Sequence, residues 1–132
     1  MRRFARAQSR SRRTTLGLVL ILMVVAVSLP GCRSSHIDAT VENRTGAAIE
    51  LLEVDYPSAS FGADRLADGA TYHYRFQVRL SGPVKVQYSE SASHAMRQTT
   101  GPEVFEHQQG KLEIVLLPGG KVSFKPELTS RQ

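Results

Sequence analysis

From residue 37 to residue 125, apolar and polar side chains alternate with a period of two in segment after segment, without the three-to-four spacing of an amphipathic helix. Ile37, Ala39 and Val41 alternate with Asp38, Thr40 and Glu42 and predict a first half-buried strand. Asn43-Arg44-Thr45-Gly46 reads as a turn. Residues 48–56, AIELLEVDY, predict a second strand whose apolar parity switches midway. Ile49 and Leu51 fall on one face and Leu52, Val54 and Tyr56 on the other, the signature of a β-bulge near Leu51-Leu52. Residues 57–62 read as a loop in which Phe61 either plugs one end of the core or is exposed for recognition, the plug being preferred.

After a turn at residues 66–69, Tyr72, Tyr74, Phe76, Val78 and Leu80 alternate strictly with polar residues and predict a central strand. Ser81-Gly82-Pro83 then turns the chain into Val84, Val86 and Tyr88, which suggests a hairpin. The pattern weakens over residues 89–110. Ser91-Ala92-Ser93 reads as a loop, residues 94–100 as a polar edge strand, and Val104-Phe105 as the start of another strand. Leu112, Ile114 and Leu116, then Pro118-Gly119-Gly120, then Val122 and Phe124 predict a terminal hairpin, with residues 126–132 as a frayed tail. Seven or eight short strands in one domain predict an antiparallel β-sandwich of immunoglobulin-like build, with a small β-barrel as the alternative. The likeness is architectural, since the chain has no Trp and a single Cys.

Ahead of this domain stands a different pattern. Six arginines and no acidic residue precede an uncharged apolar run over residues 16–29. As a helix, that run would be about 21 Å long against a hydrocarbon core of about 30 Å, which favours a cleaved secretory signal over a permanent span. An uncleaved anchor with its basic end in the cytoplasm is the alternative. The run ends in Leu29-Pro30-Gly31-Cys32, which resembles the lipobox of bacterial lipoproteins, Pro30 standing where Ser, Ala or Thr is usual. The resemblance implies cleavage between Gly31 and Cys32, a diacylglyceryl group on the Cys32 thiol and an acylated (palmitate-type) amino terminus. It also implies outer-membrane sorting, since Arg33 is not acidic, although the inner membrane stays open. Ser11-Arg12-Arg13-Thr14-Thr15-Leu16 resembles a twin-arginine export signal too, with ordinary Sec export preferred. The divisions expected are a signal peptide over 1–31, a lipidated cysteine and short tether over 32–36, a sandwich over 37–126 and a disordered tail over 127–132. Residues 43–62 faintly resemble the opening of small envelope lipoproteins, a likeness that brings no activity with it.

The leader changes how the charge is read. The chain has 17 basic and 12 acidic residues and a net charge of +5, which invites a nucleic-acid partner. Six of the basic residues precede Cys32 and all the acidic ones follow it. That leaves 11 against 12, no basic surface to neutralise a phosphate backbone, and an expectation of no nucleic-acid partner. The only cysteine is Cys32, so neither a disulfide nor a Cys-based metal site holds the domain.

Candidate chemistry is sparse. No G-x-S-x-G pentapeptide occurs. Glu53 and Asp55 share a strand face at a separation that two glycosidase carboxylates could have, but a solvated face is the plainer account. Asn43-Arg44-Thr45 matches a glycosylation sequon, disfavoured beside a bacterial lipobox. His94-Ala95-Met96 resembles the His-x-Met end of periplasmic copper chaperones, and His94, Met96 and His107 are the weak metal candidates; no metal and no cofactor is expected. The expectation is a non-enzymatic, lipid-anchored envelope protein acting by protein–protein contact, with Tyr56, Pro57 and Phe61 and residues 89–109 as candidate contact positions. The alternative is a periplasmic small-ligand or copper carrier.

Overall fold

The computed structural model describes residues 34–130; the leader, Gly31 and Cys32 lie outside the described residues, as do the last two residues of the chain. Among the described residues eight strands form, β1 (Ile37–Asn43), β2 (Ile49–Tyr56), β3 (Ala59–Leu66), β4 (Thr71–Phe76), β5 (Gly82–Glu90), β6 (Met96–Val104), β7 (Gln108–Leu117) and β8 (Lys121–Ser130). They make two separate four-stranded sheets, ordered β4-β1-β7-β8 and β3-β2-β5-β6. The architecture is therefore all-β and two-layered, and no barrel closes. All pairings are antiparallel except β1 with β7, which run parallel.

The inner strands of each sheet supply the core. Ile37, Ala39 and Val41 of β1 and Leu112, Ile114 and Leu116 of β7 face Ile49, Leu52 and Val54 of β2 and Val84, Val86 and Tyr88 of β5, all buried. Apart from the switch in β2 and Val115 and Leu117 near the end of β7, one parity of these strands is apolar and the other polar, so each sheet can bury one face and wet the other. On the outer face of the first sheet the register aligns Arg75, Asp38, Lys111 and Glu127 in one row of alternating charge. Arg75 pairs with Asp38 at 3.2 Å in that row, and Lys125 with Glu113 at 3.7 Å in the next.

The β2 parity switch is a bulge, as its sequence predicts. Between Glu50 and Glu53 the register against β5 shifts by one residue, and Leu51 takes φ 51° and is 62% exposed while Leu52 is buried. The β-carbon of any other residue at Gly62 would overlap the Leu52 carbonyl, so β3 can follow the kinked β2 only with glycine there.

Several expectations are corrected. Residues 57–62 are not a loop: Pro57-Ser58 is a tight turn and β3 begins at Ala59. The alternating run from Tyr72 is an edge strand ending at Phe76, with Leu80 exposed. It forms no hairpin with β5, because at residues 77–81 the chain crosses from one sheet to the other. Val104 ends β6 and starts no new strand. Residues 127–130 are no tail, since β8 stays paired with β7 out to Ser130 opposite Gln108. Pro126 interrupts nothing, because β8 is an edge strand with a free side for the missing N–H.

Candidate functional site

The chain's course gives the sandwich two distinct ends. The end where the chain enters carries Ile37, the Pro57-Ser58 turn, residues 77–81 and residues 105–107, since Ile37 pairs with Phe76 and Gly110. The opposite end carries the β1–β2, β3–β4, β5–β6 and β7–β8 connections.

At the opposite end Asn43 ties two connections together. Its side chain is fully buried, and Nδ2 donates to Ala47 O at 2.8 Å and Leu66 O at 3.0 Å. Oδ1 accepts from the Thr45 amide at 3.0 Å and the Thr45 hydroxyl at 2.8 Å. The backbone adds Asn43 N–H to Ala70 O at 2.9 Å, and the Gly46 amide donates to Asp68 Oδ1 at 3.0 Å. All four hydrogen-bonding capacities of the amide are thus used inside the fold, so the sequon asparagine is a structural hub and not an acceptor for sugar.

The β5–β6 turn at the same end is braced by charge. Arg97 Nε donates to Glu90 Oε1 at 2.9 Å, and Ser93 Oγ donates to Glu90 Oε2 at 2.8 Å. The Arg97 hydrogen bond, then that of Ser93, holds the Glu90 carboxyl below the usual carboxylate range, and Glu90 raises Arg97 in return. Beneath this pair the Tyr88 hydroxyl is buried with no hydrogen-bond partner among the described residues. Burial, then the Glu90 charge, pushes its phenol up.

Along one edge of the sandwich an aromatic cluster closes the gap between the sheets. Phe61 of β3 stacks on Tyr74 of β4 with ring centroids 4.4 Å apart, and Tyr56 lies 4.3 Å from Phe76. Phe61 is only 6% exposed, so it is the core plug and no recognition aromatic, although it sits on a strand instead of a loop. Tyr56 is half-buried in the same cluster, and burial raises its phenol as well. Of the three contact candidates, only Pro57 lies in a turn, at the entry end.

Beside this cluster Leu51, Glu53, Ser60, Asp64 and Tyr72 line a shallow open groove of about 610 Å³. Glu53 and Asp55 stand on the outer sheet face, where Glu53 accepts from Gln87 Nε2. Residues 89–109 do not form one surface: the Ser91–Ser93 turn is at the opposite end, β6 runs the length of an edge, and Phe105–His107 is at the entry end. The metal candidates are divided the same way, His94 and Met96 at one end and His107 at the other. They cannot ligate one ion, and no group of three or more His, Cys, Asp or Glu side chains is poised for a metal among the described residues. The basic residues are dispersed too, Arg75 and Arg97 each in an ion pair on different parts of the surface.

Sequence reasoning missed the Asn43 hub and the Arg97–Glu90–Ser93 brace, since both depend on which turns meet in space. Among the described residues no helix is long and apolar enough to cross a membrane. Comparison with known protein families, with curated proteins and with solved structures finds nothing that matches this chain.

Proposed function

We propose that the chain is a cell-envelope lipoprotein, tied to its membrane through Cys32, whose sandwich acts by contact with another envelope protein and performs no catalysis. The observation that carries the reading is positional. A basic leader and an apolar run end in Leu29-Pro30-Gly31-Cys32, and the first buried residue of the domain, Ser35, follows only three positions later. Two or three acyl chains at about 0.8 kcal/mol per buried methylene would make such an anchor durable. The non-acidic Arg33 favours the periplasmic face of the outer membrane.

The contact surface in this reading is the end of the sandwich opposite the chain's entry. Its turns are held in shape by Asn43 and by the Arg97–Glu90–Ser93 brace, and preorganised loops lose less entropy on binding. A component of a secretion, assembly or transport machine fits this role. The test is photo-crosslinking in intact envelopes from Ser93 and from Met96. A defined adduct from either position, absent from Lys111 on the outer sheet face, is the expected result; monomer alone from both would overturn the reading.

A further inference from the structure

The geometry points to a second contact of the domain with its membrane: Leu80 and Phe105, the exposed apolar tips of the entry end, rest in the interface of the bilayer to which Cys32 is tied. This rests on the lipid-anchor reading and adds an orientation to it.

The first ground is the shortness of the tether. His36 is bound to the domain through its carbonyl, which accepts the Gly110 amide at 3.1 Å, and Ser35 is already buried. Only Arg33 and Ser34 remain between Cys32 and packed chain, and three residue steps span at most about 11 Å. A lipid on Cys32 therefore holds the entry end within about that distance of the bilayer surface.

The second ground is what that end displays. Leu80 is 55% exposed and Phe105 48% exposed. Neither is loose. Val78 fills the core position two residues before Leu80 and pins its segment. The Phe105 turn is clamped by Gln108, whose side-chain Oε1 accepts the Phe105 backbone amide at 2.9 Å while the Gln108 backbone N–H donates to Phe105 O at 3.2 Å. The Glu106 amide donates to Ser81 Oγ at 3.2 Å, which ties the two segments side by side. Two large apolar side chains are thus held outward by braced backbone on the end nearest the lipid. The charged residues adjoining the tips in sequence, Arg79 before Leu80 and Glu106 after Phe105, are both exposed, a cation and an anion at the level of the headgroup layer. Apolar side chains on a polar surface settle about 5–10 Å into the headgroup and acyl boundary when held next to it.

The chain contains no tryptophan, so Leu80→Trp, Phe105→Trp and Met96→Trp each create a single reporter, the last at the opposite end, where Met96 is 60% exposed. The full chain, processed by its host, is reconstituted into phosphatidylcholine–phosphatidylglycerol vesicles with or without brominated acyl chains, and far-UV circular dichroism checks each variant's fold. Blue-shifted emission quenched at least about twofold by brominated lipid for the two tips, with Met96→Trp unaffected, is the expected result. If the protein floats with the vesicles and carries lipid on Cys32 but the tips are quenched no more than Met96→Trp, this inference fails and the anchor stands. Tips that are blue-shifted yet unquenched would mean a protein covers them, which also overturns it. An unmodified Cys32 with no flotation would remove the anchor reading and this inference together.

Discussion

Asn43→Ala removes four hydrogen bonds in one substitution. Two are donated to the carbonyls of Ala47 and Leu66 and two are accepted from Thr45, all around a side chain with no exposure. A net contribution of about 1 kcal/mol for each bond, reduced where the carbonyls rehydrate and increased where Leu66 O stays dry, gives a loss of about 3 kcal/mol. For a domain of this size that lowers Tm by about 12–24 °C. Thermal and urea unfolding followed by circular dichroism would measure it, and a loss below about 1 kcal/mol would refute the hub. Thr45→Val, which removes only the hydroxyl at the rim of the site, should cost about 1 kcal/mol. Asn43→Asp keeps the acceptor and turns a carboxylate oxygen toward two carbonyls, so it should destabilise at neutral pH at least as much as alanine. A harmless Asn43→Asp would mean that the bonds donated to Ala47 O and Leu66 O carry little of the stability.

Further expectations follow from single residues. Tyr88→Phe deletes a buried hydroxyl that has no partner, and should leave stability unchanged or raise it by about 1 kcal/mol in urea unfolding; a loss above about 1 kcal/mol would reveal a partner for that oxygen. The folded phenol lies above the ordinary value of 10.0. Its contribution is therefore fully present below about pH 10 and is lost as pH rises from there through the folded value, an alkaline loss that Tyr88→Phe should lessen in unfolding curves at several pH values. Gly62→Ala pushes a methyl into the Leu52 carbonyl and should cost about 1–3 kcal/mol, with faster amide exchange across the β2–β3 ladder; unchanged exchange would contradict the close approach. Leu51→Asn relieves a left-handed leucine and should raise stability by about 0.5 kcal/mol, while a clear loss would show that the leucine packs.

The two-sheet build was legible because burial on one face writes itself into the sequence as alternation. The bulge was legible for the same reason, since Ile49 and Leu52 cannot share a face without an extra residue between them. Strand position was not. Tyr72 to Phe76 alternates as cleanly as an inner strand, yet its aromatics roof the gap to β3 from an edge, and alternation records a buried face, not the number of neighbours. The strand β3 went unread because ASFGADRL has few apolar residues and carries a glycine demanded by the kink in β2. Ser81-Gly82-Pro83 has hairpin composition, but turn residues do not say whether the next strand joins the same sheet. Among the site residues, separation in sequence misled in both directions. His94 and His107 are thirteen positions apart and lie at opposite ends, whereas Asn43 and Leu66 are twenty-three apart and hydrogen-bonded.

Whether Cys32 carries lipid decides the assignment, and intact-mass and peptide mass spectrometry of the envelope-bound protein reads it directly. The predicted result is an amino terminus at Cys32 carrying diacylglycerol, with residues 1–31 absent. A membrane-bound form that keeps Met1 and has an unmodified Cys32 thiol would contradict the account.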